Sequence, residues 1–579
     1  MNNKTIPLNK LRFNPNVIRK LQSYSERERE GQPIDYRTPF YSKAHGSAAP
    51  LQGSRISGVD GRIPPEREDL YKLMLEDGVH KLLSEEPNPD IQKFEASFEE
   101  YIRSPRSVVL PWADRLPKLL EYFKEVDFKP NMNLFNKAVE NVRKAVRKYI
   151  PAKSLRPLAL DKSMERLPST TNWGAPFFEA GKQLEYDKDA NVTKEHDNRK
   201  QYMNVAQRIL KAILEDKHPK LEDIAFWCLW RGQEGRDSET KQRIIWGEAH
   251  GVTILGSRFF PFIDAAQNSL PWRKALVSQE SVDESVAVFM KSHSGQYLYG
   301  FDASGFDQHL NADLLNAASD IIIDSFQLTN DEIKIANWYF KNHIVSSPII
   351  TPDGLVTGRH GSMPSGTGFT NELDSMCNLI AAEYVSLRTK WELFTSQIQG
   401  DDGVFLFKGL DQKSLTQLSE AYSELGFVIN EDKQWLSKTS VSYLKRLHCT
   451  DKATSFRSYS WVLCGLSNME RPKGWKDAMY SARAIMQTSN LSPEYKGYDN
   501  FMRFAVKGDT YGLGMKVKSG SLGVLQAAGG LNAVAERLDF VSFAANQQGL
   551  IKEPGSSSSS INVPNLRTAE WVAKEKRST

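Results

Sequence analysis

Gly400-Asp401-Asp402-Gly403 stands between the strand-like FTSQIQ and VFLF, so its two aspartates are expected at the tip of a tight hairpin. Well upstream, the apolar run Tyr297-Leu-Tyr-Gly-Phe delivers Asp302, and Asp307 follows at the expected start of a helix running through Leu314 and Ile322. Asp302 and Asp401 would then close adjacent strands. Two carboxylates so placed are what a pair of Mg²⁺ ions about 3.5–4 Å apart needs as bridging oxygen ligands, with Mn²⁺ a possible substitute. Asp402 would be a secondary ligand. The chemistry that suits such a pair is phosphoryl transfer: one ion activates a hydroxyl, the other holds a triphosphate and steadies the leaving pyrophosphate.

Between the two aspartate phrases lies Gly361-Ser-Met-Pro-Ser365-Gly366-Thr-Gly-Phe-Thr370-Asn371-Glu-Leu-Asp374. A loop of small residues that runs straight into a helix lets backbone approach a nucleotide closely, and the helix N-terminus favours anions. Each phrase alone also fits a plain reading. Gly-Asp-Asp can be an ordinary hairpin turn, Asp307 a helix cap, and the loop a cap that binds no phosphate. Their order and separation decide for the chemical reading.

D-x4-D, then SG-x3-T, then GDD resembles motifs A, B and C of viral RNA-dependent RNA polymerases. The resemblance extends over roughly residues 170–450. Leu425-Gly-Phe-Val-Ile-Asn430-Glu-Asp-Lys433 looks like motif D, which implies Lys433 as the proton donor to pyrophosphate. Tyr443-Leu444-Lys445-Arg446 resembles the motif E turn, implying Lys445 and Arg446 as contacts to the primer strand. Arg236 and the stretch Lys241-Gln-Arg243 resemble motif F, whose cations cover the incoming triphosphate. Thr171-Asn-Trp-Gly174-Ala-Pro176 resembles motif G at the template entrance. Singly, each of these clusters reads as a solvated basic face or a turn.

The phrases DASGFDQ, MPSGTGFTNELDS and GDDG are most similar to those of picobirnavirus polymerases, with partitivirus polymerases next. Many positive-strand RNA virus polymerases carry Asn where this chain has Asp374. The resemblance therefore implies a ribose-sensing group of Asp307, Thr370 and either Asp374 or Asn371, with Ser365 and Gly366 in the nucleotide loop. RNA is the expected product, since such groups can hydrogen-bond a 2′-hydroxyl.

The elements that must position these residues read as follows. The stretch 296–450 alternates short β-branched runs with helices, an α+β signature. Residues 65–155 look helical: Phe135, Ala138, Val139, Val142, Val146 and Ile150 keep helical spacing. Residues 165–260 read as loops and helices, such as Gln201 to Leu214, and residues 1–60 as an extended arm. The resemblance implies a right-hand fold with an antiparallel-sheet palm, closed by fingertip contacts to the thumb. It distributes the chain as an N-terminal extension (1–60), fingers (61–295) with an insertion (326–360, around Ile349–Arg359), palm (296–325 and 361–450) and thumb (451–553). A flexible linker and tail (554–579) would follow, opening on Pro554-Gly and a run of serines.

Composition sets the outer limits. The 579 residues are 40% hydrophobic and 25% charged, enough for a large core. No apolar run approaches the ~20 residues of a membrane helix, and the N-terminus lacks an apolar signal core. Four scattered cysteines form neither a disulfide framework nor a zinc knuckle. The net charge of +4 decides nothing, because basic residues can line an interior channel. The implied partners are template and product RNA, nucleoside triphosphates and a viral capsid protein, with no membrane and a monomeric enzyme. The implied setting is the virion interior and host cytoplasm of a double-stranded RNA virus.

Three rival readings fit these residues less well. A reverse transcriptase shares the metal chemistry but usually carries a hydrophobic-x-Asp-Asp turn. A non-catalytic RNA-binding capsid component would not need Asp302, Asp307, Asp401 and Asp402 intact. A helicase would need a GxxxxGK[ST] loop, which the chain lacks.

Overall fold

The computed structural model describes residues 4–31, 80–99, 109–168, 172–186, 192–234, 240–452 and 455–461. The expected thumb beyond 461, the linker and the tail lie outside the described residues. Within them the chain is α+β, and no helix is long and apolar enough to cross a membrane.

Thirteen strands form four sheets among the described residues. In chain order they are β1 (Lys4–Ile6), β2 (Lys182–Tyr186), β3 (Val192–Asp197), β4 (Phe226–Glu234), β5 (Thr240–Gly247), β6 (Leu298–Phe301), β7 (Ile349–Thr351), β8 (Gly354–Thr357), β9 (Glu392–Gln399), β10 (Asp402–Lys408), β11 (Trp435–Ser437), β12 (Ser440–Tyr443) and β13 (Arg446–Cys449). The helices that matter for the site are α1 (Pro15–Glu30), α2 (Met132–Tyr149), α3 (Arg199–Leu214), α4 (Gln279–Ser292), α5 (Ala312–Asp324), α6 (Thr370–Thr389) and α7 (Leu415–Ser423).

The central unit is the antiparallel sheet β11-β6-β10-β9. Its inner face carries Tyr299, Phe301, Phe405 and Phe407, whose rings lie tilted or edge-on to one another. Burying side chains of this size contributes roughly 1.5–3 kcal/mol each. Helix α6 packs on β9 and β10, with α2, α5 and α7 against it. It is buried almost all round, yet it holds Glu372, Asp374, Ser375 and Asn378 at 4% exposure or less. Buried polar side chains need partners. Here those partners are the hairpin that carries Asp401 for Ser375 and Asn378, Arg273 for Glu372 and Asp307 for Asp374.

The helical expectations for α2 and α3 hold, and every predicted apolar position of α2 is buried. Two expectations are corrected. Residues 4–30 are no extended arm. Pro15 opens α1, the Asn14 side chain caps it by accepting from Asn16 N–H at 2.9 Å, and Val17, Leu21 and Tyr24 form its buried stripe. The Tyr24 hydroxyl donates to the Cys228 carbonyl on β4, and β1 pairs with β8. The second correction concerns 226–234 and 240–247, expected as loop and helix, which form the antiparallel strand pair β4–β5. That pair belongs to the sheet β1-β8-β7-β4-β5, so the insertion around Ile349–Arg359 joins strands from far upstream.

Candidate active site

The Gly-Asp-Asp phrase forms the expected tight hairpin, but only one of its two aspartates is at the tip, because Asp402 opens β10. Asp402 pairs with Gln399, leaving Gly400 and Asp401 at the tip. Gly400 has φ 64°, the sign that the first central position of a II′ turn requires, so a side chain there would strain the hairpin. On the other edge of β10, Gly403 pairs with Phe301, which sets Asp402 across from Asp302 at the end of β6. Asp302 and Asp401 are exposed, while Asp402 and Asp307 are half-buried. Asp307 departs from expectation. It lies in a 3₁₀ turn, Phe306–His309, and α5 begins only at Ala312 behind the cap of Asn311.

The five aspartates 302, 307, 374, 401 and 402 converge on one place and repel one another. Desolvation, then Asp401, pushes the Asp307 carboxyl up to about 7, against the lowering influence of Arg243 and a hydrogen bond with Asp374. Desolvation and then Asp401 likewise raise Asp402 to about 7, with Asp302 adding and Lys445 opposing. Asp374 is held well above the usual carboxylate range by burial and by Asp307 and Asp401. The hydrogen bond between Asp307 and Asp374 raises Asp374 and lowers Asp307.

Helix α6 holds the turn. Gly400 N–H donates to Ser375 Oγ at 2.8 Å, and Asn378 Nδ2 donates to the carbonyls of Gly400 and Asp401 at 3.3 and 3.1 Å. Arg273, 1% exposed, donates to Ser375 Oγ, to Ile398 O at 3.1 Å and to Glu372 at 2.6 Å. The small-residue loop before α6 lies against β5. Ser365 Oγ donates to Ile244 O at 3.0 Å, and a Cβ on Gly366 would fall 1.8 Å from Trp246 O, so only glycine fits. Thr370 Oγ1 donates to Pro364 O at 3.0 Å, closing the loop on itself. Met363 N–H donates to Asp307 O at 2.7 Å, tying the loop to the Asp307 turn.

Three buried polar atoms of α6 beside this cluster lack a hydrogen-bond partner: Asn371 Nδ2, Asp374 Oδ1 and Asn378 Oδ1. Unmet groups of this kind cost roughly 1–3 kcal/mol each, and they mark where a ligand would be received. Arg243, exposed on β5, is within electrostatic reach of both Asp307 and Asp402. Lys241 is also on β5, while Arg236 and Thr171 lie outside the described residues. Gly174 has φ 65° in the loop beside Pro176, next to the fully buried Trp173, which stacks on His250 at 4.0 Å.

Lys433 ends an exposed 3₁₀ turn, Glu431–Lys433. Lys445 occupies the β12–β13 turn at φ 57°, its charge reaching Asp402 and its Nζ 4.1 Å from the Trp461 ring centroid. Arg446 is corrected. At 1% exposure its guanidinium donates to Ser455 Oγ and O at 2.8 and 2.6 Å, so it ties β13 to the following segment and does not face RNA. Sequence reasoning missed Arg273, Ser375, Asn378 and Gln434, the residues that hold the aspartates in place. Only Ser375 lay inside a quoted motif.

Hard oxygen donors suit Mg²⁺ or Mn²⁺. Among the described residues no three His, Cys, Asp or Glu side chains already form a closed ligand group. The crowded, mutually raised carboxyls and the unpaired Asp374 oxygen are nonetheless a donor set that divalent cations would relieve.

Comparison with known proteins agrees with this arrangement. The profile of the viral RNA-dependent RNA polymerase family matches residues 93–458. A potential RNA-dependent RNA polymerase of Human picobirnavirus is 25% identical over 513 residues, covering 86% of each chain. An RNA-directed RNA polymerase of Cryptosporidium parvum virus 1 is 25% identical over 331 residues, 55% of this chain and 59% of that one. The fold matches the crystal structure of a human picobirnavirus RNA-dependent RNA polymerase with TM-score 0.66 at 20% identity, covering 97% of this chain and 99% of that one. It also matches an insertion-loop deletion mutant of a human picobirnavirus polymerase, with TM-score 0.65 at 22% identity, covering 87% and 94%. With the family profile spanning well over half of its length, the chain belongs to the viral RNA-dependent RNA polymerases.

Proposed function

We propose that this polymerase extends RNA on an RNA template by two-metal nucleotidyl transfer, transcribing and replicating a double-stranded viral genome. The observation that carries the reading is the pairing of β6 with β10. It brings Asp302 beside the Asp401-Asp402 turn, whose Asp402 feels the charges of Asp302, Asp401 and Arg243.

Asp302 and Asp401, helped by Asp402, are the residues that would hold two Mg²⁺ or Mn²⁺ ions. Bound there, such ions supply activation of the 3′-hydroxyl and charge neutralisation on the departing pyrophosphate. The rest belongs to the chain. Arg243, with Lys241 and Arg236, binds the triphosphate where a dry site strengthens each contact. Asp307, Thr370 and either Asn371 or Asp374 read the ribose 2′-hydroxyl, and each of the last two has a buried atom without a hydrogen-bond partner. Ser365 and Gly366 place backbone against the nucleotide, and Thr370 holds that loop closed. Lys433 protonates pyrophosphate. Thr171, Gly174 and Pro176 line the template path, and Lys445 contacts the primer strand.

The same proposal assigns 296–325 and 361–450 to a palm, 61–295 and 326–360 to fingers that close on the thumb, and 451–553 to that thumb. The sheet shared by β4, β5, β7 and β8 supports grouping the insertion with the upstream fingers, and β1 and α1 attach the N-terminal extension to the same body. The working setting is the virion interior and host cytoplasm, with a capsid protein as partner and a monomeric enzyme. The test is nucleotide incorporation on single- and double-stranded RNA, without primer, in Mg²⁺, Mn²⁺ or chelator. Metal-dependent, template-complementary RNA is expected. Product made equally well in chelator, or DNA in place of RNA, would overturn the reading.

A further inference from the structure

Where the β6–β11 ladder stops, one side chain continues it. Trp435 pairs with Gly300, so Asp302 lies just beyond the paired residues. Gln434, 4% exposed, closes that gap. Its Oε1 accepts from Asp302 N–H at 3.2 Å and from the Tyr299 hydroxyl at 2.7 Å. Its Nε2 donates to Asp302 O at 2.8 Å and to Asn430 O at 2.9 Å. All four hydrogen bonds that a glutamine amide can make are made, two of them to the backbone of one residue. Such a clamp reproduces with a side chain what a neighbouring strand does for a peptide group.

The bond to Asn430 closes the same clamp around the turn Glu431–Lys433. Beside it, Ala303 bridges to Ile429 and Ser304 N–H donates to Val428 O at 3.0 Å. The segment carrying Lys433 and the segment carrying Asp302 are thus fastened side by side, with the buried Gln434 side chain bonded to both.

We infer that Gln434 is a positioning residue. It holds the Asp302 carboxylate at the angle that metal binding needs, and it couples that carboxylate to the turn bearing Lys433. The inference rests on the proposed two-metal reading of the site. Glutamate cannot replace it, because a carboxylate cannot donate to the Asp302 and Asn430 carbonyls. Methionine fills similar space without the bonds.

The test compares wild type, Gln434→Met and Tyr299→Phe in single-nucleotide incorporation on an RNA template. Mn²⁺ binding to each protein without RNA is followed by loss of the free-ion electron paramagnetic resonance signal. Gln434→Met is expected to lower kcat by about 10–100-fold while nucleotide KM stays within about threefold. Mn²⁺ affinity should weaken by roughly tenfold, as when the groups behind a ligand are removed. Tyr299→Phe, which deletes one of the four bonds and no volume, should show the same split at smaller size. A folded Gln434→Met with unchanged kcat and Mn²⁺ affinity overturns the inference. Should that variant not fold, Tyr299→Phe decides: a wild-type kcat and Mn²⁺ affinity there overturns it. If the wild type itself makes no RNA, the functional reading fails, while the Mn²⁺ comparison still judges the clamp.

Discussion

Ser375 Oγ accepts the Gly400 N–H at 2.8 Å, so the helix that follows the nucleotide loop directly holds the turn that carries Asp401. The same oxygen accepts from Arg273 and donates to Asn371 O at 2.6 Å. One hydroxyl therefore links the carboxylate turn, the candidate ribose-reading residue and a buried cation. Ser375→Ala leaves the Gly400 amide and an Arg273 N–H unmet, at a cost of roughly 1–3 kcal/mol each. Urea denaturation should register the loss, and elongation should fall in kcat more than in nucleotide KM.

Arg273 and Glu372 form an ion pair at 2.6 Å with side-chain exposures of 1% and 3%. Removing one partner strands the other charge. Arg273→Met is expected to destabilise the fold by about 3–5 kcal/mol. The double variant Arg273→Met, Glu372→Gln should recover part of that loss in the same denaturation curves, because no buried charge remains uncompensated.

Gly366 has no room for a methyl group against Trp246 O. Gly366→Ala must lift the loop from β5, which carries Arg243. The expected result is a fall in kcat/KM of about 10–100-fold with little loss of thermal stability, since the loop is local. Steady-state kinetics beside a melting curve separate the two.

Arg243→Ala removes a cation that faces the carboxylate cluster from an exposed strand position. Nucleotide KM should rise by about tenfold or more while kcat changes less. Unchanged nucleotide kinetics would remove Arg243 from the triphosphate site.

Two buried histidines should cost stability in mild acid. Burial lowers His250 to about 3 and His448 to about 4, against about 6.5 when unfolded. Above pH 6.5 both states are neutral and nothing is lost. Below it the unfolded chain takes up protons that the folded one refuses, so stability falls by about 1.4 kcal/mol per pH unit for each histidine. The raised Asp307 and Asp402 carboxyls act in the opposite sense over the same range, so the histidine contribution is read as a difference: from pH 7.5 to 5 the melting temperature of His250→Phe should rise relative to that of the wild type.

Much of the carboxylate geometry was legible because it rests on local signals: an apolar strand ending in Asp302, a Gly-Asp-Asp hairpin, a small-residue loop before a helix. Asp307 was misplaced onto the helix because a short 3₁₀ turn has no periodicity of its own. The β4–β5 pair was missed because Phe226–Glu234 opens as an apolar run, which alternation cannot distinguish from a buried helix. Helix α1 carried its cap and its apolar stripe in plain view, hidden by an otherwise charged stretch. Arg446 looked like an RNA contact because charge was visible and burial was not. Gln434, Arg273 and Asn378 act through partners more than twenty residues away, and sequence spacing says nothing about such pairs.

The central claim is tested most directly by Asp302→Asn and Asp401→Asn in the incorporation assay, alongside melting curves. Both changes keep the shape of the side chain. Each removes one of the negative charges that raise Asp402, and Asp401→Asn also relieves Asp307 and Asp374, so neither fold should be less stable than wild type. RNA synthesis should fall by about a thousandfold, equivalent to ~4 kcal/mol of barrier. Either variant elongating RNA at a rate near that of the wild type would contradict the account.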